Sequence, residues 1–386
     1  MQSHAAFDTE WSLLLAGCSP IPSEEKSEKI RLLLHKPIRW QTLLDSADQH
    51  GVTFLLHQAL SELGESLPAH DMHRLQQRYR TNVHRTMFFA RELIRIFDCL
   101  DPLGVDVMPY KGVILAETIY GNMAMRQSGD IDLFIRARDF SRIREAIQGL
   151  GYTPHIALSP REEHAYLRSG YECNFDSPDG RNLLELQWAL QPRFYAVDMD
   201  MEGLFQRSVP VTVAGRNMRT LSPEDSIVVL SLHAAKHAWG RLIWLCDIAR
   251  LLGQPNLNWN WITQQASAMG IVRILNVTVL LANQLLGAPI PAPLAVTLAE
   301  DPTVLFIAKD ISKGFASGGT CDVESLSYFH LMLRLRERRS DQIRFLTRLV
   351  FTPGPGEWKA VRLPPALFPL YRVVRVSRLA ARVARA

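Results

Sequence analysis

Cysteine is sparse in this chain and never paired. The five residues Cys18, Cys99, Cys173, Cys246 and Cys321 are scattered, with no C-x-x-C spacing among them. That excludes a disulfide framework and a structural zinc knuckle, and leaves buried free thiols in a reducing compartment. A long apolar run is also missing. The most apolar stretch, Ile274 to Val296, is broken by Asn276, Asn283, Gln284, Gly287 and three prolines, whereas a bilayer span needs about 20 apolar residues in sequence. Asp8 and Glu10 precede the first apolar run, unlike the basic-then-apolar order of a secretory signal, so a cytoplasmic location is expected. There is no nucleophile elbow, Walker loop or dinucleotide fingerprint, which removes serine hydrolases and P-loop enzymes from consideration. Acidic residues are absent after Glu357.

With 386 residues, 47% of them apolar and 21% charged, the chain is long enough for two or three structural units, each with its own core. Apolar spacing of three and four predicts helices around Glu10–Ala16, Glu24–Leu34, Trp40–Ser46, Phe54–Leu63 and His70–Leu100, ended by Pro102-Leu103-Gly104. The pattern then changes. Val105–Met108 and Asp130–Ile135 alternate as strands, with a helix from Gly112 to Tyr120 between them. Asp139 is expected to cap a helix running to about Leu150, and Tyr152–Ile156 is extended. Ser177-Pro178-Asp179-Gly180 turns Tyr171–Phe175 back along Asn182–Trp188, and Val209–Val213 with Met218–Leu221 forms a second hairpin. Ser222-Pro223-Glu224-Asp225 begins a helix with an N-cap, a proline at the first position and acids at its positive end. The expected fold is therefore α+β. A helical unit over 1–103 precedes a small mixed-sheet palm over 104–221, followed by a helical unit over 222–350 and a basic tail over 351–386.

The chemistry is concentrated in Asp130-Ile131-Asp132. Residues two apart on a strand share a face, so the two carboxylates project together while Ile131, Leu133 and Ile135 turn inward. Side-by-side negative charges repel unless a cation lies between them. Oxygen-only ligands on a stiff element suit Mg²⁺ or Mn²⁺. The reaction that needs such a site is in-line phosphoryl or nucleotidyl transfer, and a third carboxylate usually completes it. Glu185 is the candidate, facing away from Leu184 and Leu186 on its own strand.

Tyr110-Lys111-Gly112, Tyr120-Gly121, Arg126 and Gly129-Asp130-Ile131-Asp132-Leu133 together resemble the core signature of the polymerase-beta-like nucleotidyltransferase superfamily. Within it, the chain resembles the family of uncharacterised nucleotidyltransferases, and more distantly the abortive-infection toxin nucleotidyltransferases. The first family's E-x-H-W is matched by Glu185-Leu186-Gln187-Trp188 except at its third position. Leu221–Asp225, the spaced His233, Lys236 and His237, and Trp244 to Asp247 follow in the family's order. The resemblance implies metal binding by Asp130, Asp132 and Glu185, with Glu185 alternatively a base. It implies a backbone approach to phosphate at Gly112, phosphate contacts from Lys111 and Arg126, and a helix face that closes on the nucleotide with Lys236 or His237. It implies an NTP as donor and leaves the acceptor open among small molecules, peptides or proteins, and RNA. Two positions depart from the pattern: Val113 stands where a second small residue is usual, and Gln187 where the closer family often has His. The departures motivate an alternative, a nucleotide-binding or regulatory module without turnover. The toxin likeness motivates another, transfer to tRNA.

The tail concentrates basic charge. Lys359, Arg362, Arg372, Arg375, Arg378, Arg382 and Arg385 account for seven positive charges, and without them the net +4 becomes −3. The last five are three or four apart, so a helix presents them as one stripe beside Val373, Val376, Leu379 and Val383. The expectation is a docked amphipathic helix with a solvated basic face, a possible contact for an anionic partner such as RNA or lipid.

Overall fold

The computed structural model describes all residues except 1, 22, 65–67, 317–324, 362 and 384–386. Cys321, Arg362 and Arg385 thus lie outside the described residues. The strand read from alternation forms at Asp130–Ile135 (β2), second from one edge of a five-stranded mixed sheet. Its neighbours are β1 (Val107–Pro109), antiparallel, and β5 (Leu183–Gln187), parallel. Beyond β5 come β4 (Glu172–Asp176) and β3 (Thr153–Pro154), both antiparallel, giving the order β1-β2-β5-β4-β3. A separate hairpin pairs β6 (Val209–Val213) with β7 (Arg216–Thr220).

The pleat divides the sheet chemically. On the back, Ile131, Leu133, Ile135, Leu184, Leu186 and Phe175 join Phe89, Leu93 and Ile96 of the long helix Ala69–Leu100 in one core. Ile143 and Ile147 of the helix Phe140–Gly149 complete it. A fully buried Leu or Ile of this kind contributes about 1.5–3 kcal/mol, so a one-residue slip of β2 would forfeit several such terms and expose the apolar set. On the front, Asp130, Asp132 and Phe134 of β2 lie beside Glu185 and Gln187 of β5, and Glu172 and Asn174 of β4.

The helix Pro223–Lys236 covers this front. Ser222 accepts a hydrogen bond from the Asp225 backbone N–H at 3.1 Å, with Pro223 at the first position, as the sequence indicates. Asp225 is itself buried and held by Arg207 at 2.9 and 3.0 Å. The helices Leu242–Leu252 and Val272–Leu286 pack beside it. Their core is continuous with that of the N-terminal helices: Leu13, Leu14, Leu43 and Phe54 belong to the same cluster as Leu245, Leu280 and Leu281. The two helical segments that flank the palm in sequence therefore share one interior. Among the described residues, no helix is long and apolar enough to cross a membrane.

The tail helix Tyr371–Val383 docks against Arg339–Phe351, but with a different face from the one expected. Arg375 is buried, its Nη1 lying 3.5 Å from Glu357, and Arg378 donates to the same carboxylate at 2.8 Å. Val373 and Val376 are exposed instead. The buried Glu357 decides this orientation, because a carboxylate shut away from water needs cations beside it.

Candidate active site

Asp132 lies opposite Glu185 in the parallel β2–β5 register, and Glu185 lies opposite Asn174 of β4. The acids singled out from sequence are thus neighbours on one face. Lys111 donates to Asp132 Oδ1 at 2.7 Å, with its ammonium 4.8 Å from the Tyr110 ring centroid. Tyr110 stacks on Phe134 and donates to Gln187 Oε1 at 2.7 Å. The Gln187 amide then donates to Glu185 Oε2 at 2.8 Å and to Asp132 Oδ1 at 3.4 Å. Gln187, which departs from the closer family's His, serves here as the bridge that fixes both acids.

The charges are incompletely balanced. Asp130 is pushed up to about 6, first by repulsion from Asp132 and then by burial, against the pull of Lys111. Burial, then Asp132 and Glu172, push Glu185 up to about 8. Burial opposes the charge on Lys111, yet Asp132 beside it holds its affinity for the proton well above the usual lysine range. Among the described residues, Asp132 Oδ2 is buried without a hydrogen-bond donor, and Ser128 Oγ at the foot of the same strand is buried without a partner. Among the described residues, no three His, Cys, Asp or Glu side chains converge as a self-sufficient metal cage. The oxygens of Asp130 and Asp132 nonetheless fit Mg²⁺ or Mn²⁺, which take one or two carboxylates and fill the remaining positions with water and phosphate. The orphaned Asp132 Oδ2 is the observation that supports the fit.

Opposite the sheet stands the end of Pro223–Lys236. Lys236 donates to the Tyr171 hydroxyl at 3.2 Å, and Tyr171 in turn donates to Glu172. Burial lowers the Lys236 proton affinity and Glu172 restores part of it. His233 and His237 face each other at 4.9 Å and both contact Trp244. Burial holds His233 well below its ordinary value and, with Lys236, takes His237 to about 3, so both rings are neutral at pH 7. Tyr171 and Glu172 escaped the sequence reading. The signal for Glu172 was the hairpin turn, whose register sets it opposite Gln187.

Gly112 is the N-cap of the helix Val113–Tyr120, at φ 56° and ψ −126°. A side chain is strained there, and a Cβ would come within 3.2 Å of Ser128 Oγ. The backbone therefore passes close to the orphaned hydroxyl. Arg126 behaves differently from expectation. Its Nε and Nη2 donate to Asp247 at 3.0–3.1 Å and its Nη1 to the Gln127 carbonyl. The guanidinium is buried and occupied, which corrects the reading of Arg126 as a phosphate grip.

A pH prediction arises from these acids. A carboxyl raised on folding favours the folded state below its unfolded value, and that stability is lost as pH rises through the folded value. Buried neutral histidines act in the opposite sense below about 6.5, so Glu185 is read above that point. Without divalent ions, the melting temperature should fall by a few degrees between about pH 6.5 and 8. Glu185→Gln should flatten this fall, and Mg²⁺ should raise the melting temperature more at the upper end. A fall of equal size in Glu185→Gln would assign it to other groups.

The chain matches, over residues 36–287, the model of a family described as uncharacterised nucleotidyltransferase. A search of curated proteins finds no match. A crystal structure of ANT(2″)-Ia in complex with adenylyl-2″-tobramycin is similar over 47% of this chain and 97% of that one, at 16% identity and a TM-score of 0.35. The family match spans well over half of the chain, and includes the paired aspartates, the strand carrying Glu185 and the covering helix. The chain belongs to the uncharacterised nucleotidyltransferase family.

Proposed function

We propose that this protein moves a nucleoside monophosphate from an NTP to a hydroxyl-type acceptor, releasing pyrophosphate, and that Asp130, Asp132 and Glu185 are its catalytic acids. The observation that carries the reading is the unsatisfied Asp132 Oδ2 beside two carboxyls driven upward by repulsion and burial. Asp130 and Asp132 would hold Mg²⁺ or Mn²⁺. When bound, such an ion supplies positive charge to the phosphates and lowers the pKa of the attacking hydroxyl.

The chain's own groups do the rest. Lys111 and Gln187 fix Asp132 and Glu185 in place. Glu185 Oε2 accepts from Gln187, which leaves Oε1 to take the acceptor's proton as its oxygen attacks the α-phosphorus and the bond to pyrophosphate breaks. The raised affinity of Glu185 suits that task near neutral pH. Lys236 brings positive charge from the covering helix, whereas the neutral His237 meets phosphate only as a hydrogen-bond donor. Gly112 lets the first turn of Val113–Tyr120 approach the phosphates, where free N–H groups favour anions.

The test is incubation of the purified chain with each α-labelled NTP, cell extract, and Mg²⁺ or Mn²⁺. Label should move to an acceptor, and Asp130→Ala/Asp132→Ala should be silent. Transfer that survives in the double variant refutes the assigned acids. Absence of transfer together with absence of Mg·NTP binding by calorimetry would instead favour the module without turnover. Label appearing on tRNA would identify the toxin-type acceptor.

A further inference from the structure

Four arginines from separate stretches of chain surround one cavity of about 670 Å³ beyond the C-terminal end of β5. Arg168 ends the helix Pro160–Ser169, and Arg193 lies in the turn after β5. Arg348 comes from Arg339–Phe351 and Arg372 from the tail helix. The single acid in the lining among the described residues, Asp198, is engaged by Arg344 and Arg348 at 3.0 Å each. Among the described residues, no carboxylate lies within salt-bridge distance of Arg168, Arg193 or Arg372, although Arg168 contacts His164 and the charge of Arg193 is felt by Asp198. Arg168, Arg193 and Arg372 are exposed, so water screens their mutual repulsion, and an anion entering the concavity meets cations from several sides.

A second hollow of about 850 Å³ adjoins the first and shares Arg168 and Arg372 with it. Its wall is largely apolar, built from Trp358, Phe368 and Tyr371. Trp358 is 7% exposed, and its indole N–H is buried with no acceptor among the described residues. A buried donor left unmade costs about 1–3 kcal/mol. Both volumes lie in the range of small-molecule sites. Neither hollow is lined by Asp130, Asp132, Glu185 or Lys236, so the feature is separate from the carboxylates on the front of the sheet.

We propose that the two adjoining hollows form a binding site for an organic anion, a carboxylate or phosphate ester with an apolar or aromatic body. Arg168 and Arg372 meet the charged head. The aromatic wall takes the body, and the Trp358 N–H donates to an oxygen of the ligand. The arginine fork matches carboxylate and phosphate alike, so the head group is for experiment to decide.

Calorimetry on the full chain at constant ionic strength, with phenyl phosphate, phenylbutyrate and inorganic phosphate as probes, tests this. At least one phenyl probe should bind saturably, about tenfold or more tighter than inorganic phosphate because of its apolar body. The tighter of the two phenyl probes names the head group. Arg372→Gln, an exposed position whose change leaves the core intact, should weaken binding about tenfold or more. Trp358→Phe keeps the ring and removes the N–H, and should weaken it roughly fivefold. Asp132→Asn should bind the probe like the unmodified chain. The proposal is overturned if neither phenyl probe saturates, if Arg372→Gln binds as well as the unmodified chain, or if Asp132→Asn abolishes binding and so relocates the ligand to those carboxylates.

Discussion

Asp132→Asn is expected to lower nucleotidyl transfer by about 10²- to 10³-fold or more while leaving the fold in place. The side chain is isosteric, and both its neighbours on the back of β2 stay packed. Two electrostatic consequences oppose each other. Lys111 loses the carboxylate 2.7 Å away that holds it charged in a buried position. Asp130 and Glu185 are relieved of the same charge, which is the leading cause of the raised value of Asp130 and the second for Glu185. Both acids then sit closer to their ordinary ionised range and compensate Lys111 in place of Asp132. The stability change should accordingly be small, while the Mg²⁺-dependent rise in melting temperature disappears along with turnover. Initial rates of label transfer, paired with melting curves with and without Mg²⁺, separate the two effects. Turnover within tenfold of the unmodified enzyme would mean that the reaction runs on other groups.

The parts of this site that were legible in the sequence are those set by local periodicity. The alternation of Asp130–Ile135 gives the strand and its inward face, and the same logic on Asn182–Trp188 puts Glu185 on the front. Ser222-Pro223 announces the covering helix and so brings Lys236 and His237 over the sheet. The turn after β4 announces its hairpin. What escaped reading depends on partners remote in the chain. Arg126 looks like a phosphate contact from its place before the acids, but its partner is Asp247, 121 residues on. The face that the tail helix buries is chosen by Glu357, which no periodicity within the helix reveals. The helix Pro160–Ser169 is a different kind of miss, because its signal was local: Ser159 and Glu162 form a capping box, with Pro160 at the first helical position.

The Arg126–Asp247 tie carries the largest stability effect expected in the molecule. Asp247 is fully buried on the helix Leu242–Leu252, and it accepts from Arg126 at 3.0 and 3.1 Å and from the Tyr120 hydroxyl at 2.8 Å. Asp247→Ala would strand a buried guanidinium and a half-buried phenol at once. Breaking such a pair from one side costs about 3–5 kcal/mol, so urea denaturation should show a loss of that order. Removing both partners is a different case. In Arg126→Met/Asp247→Leu no charge is left unpaired and apolar packing replaces the ion pair, so what remains is the Tyr120 hydroxyl without its acceptor, about 1–3 kcal/mol. The double variant should therefore be more stable than Asp247→Ala alone. Function distinguishes the pair from a mere stability element. Arg126 belongs to the segment leading into β2 and Asp247 to the helical unit bearing Lys236, so the tie sets the spacing between the acids and the cation opposite them. The double variant should fold and still transfer label more slowly, with a raised KM for NTP, because the spacing between the acids and Lys236 is no longer fixed. If Asp247→Ala costs less than about 1 kcal/mol, or the double variant is as unstable as the single, then the two residues do not hold palm and helices together.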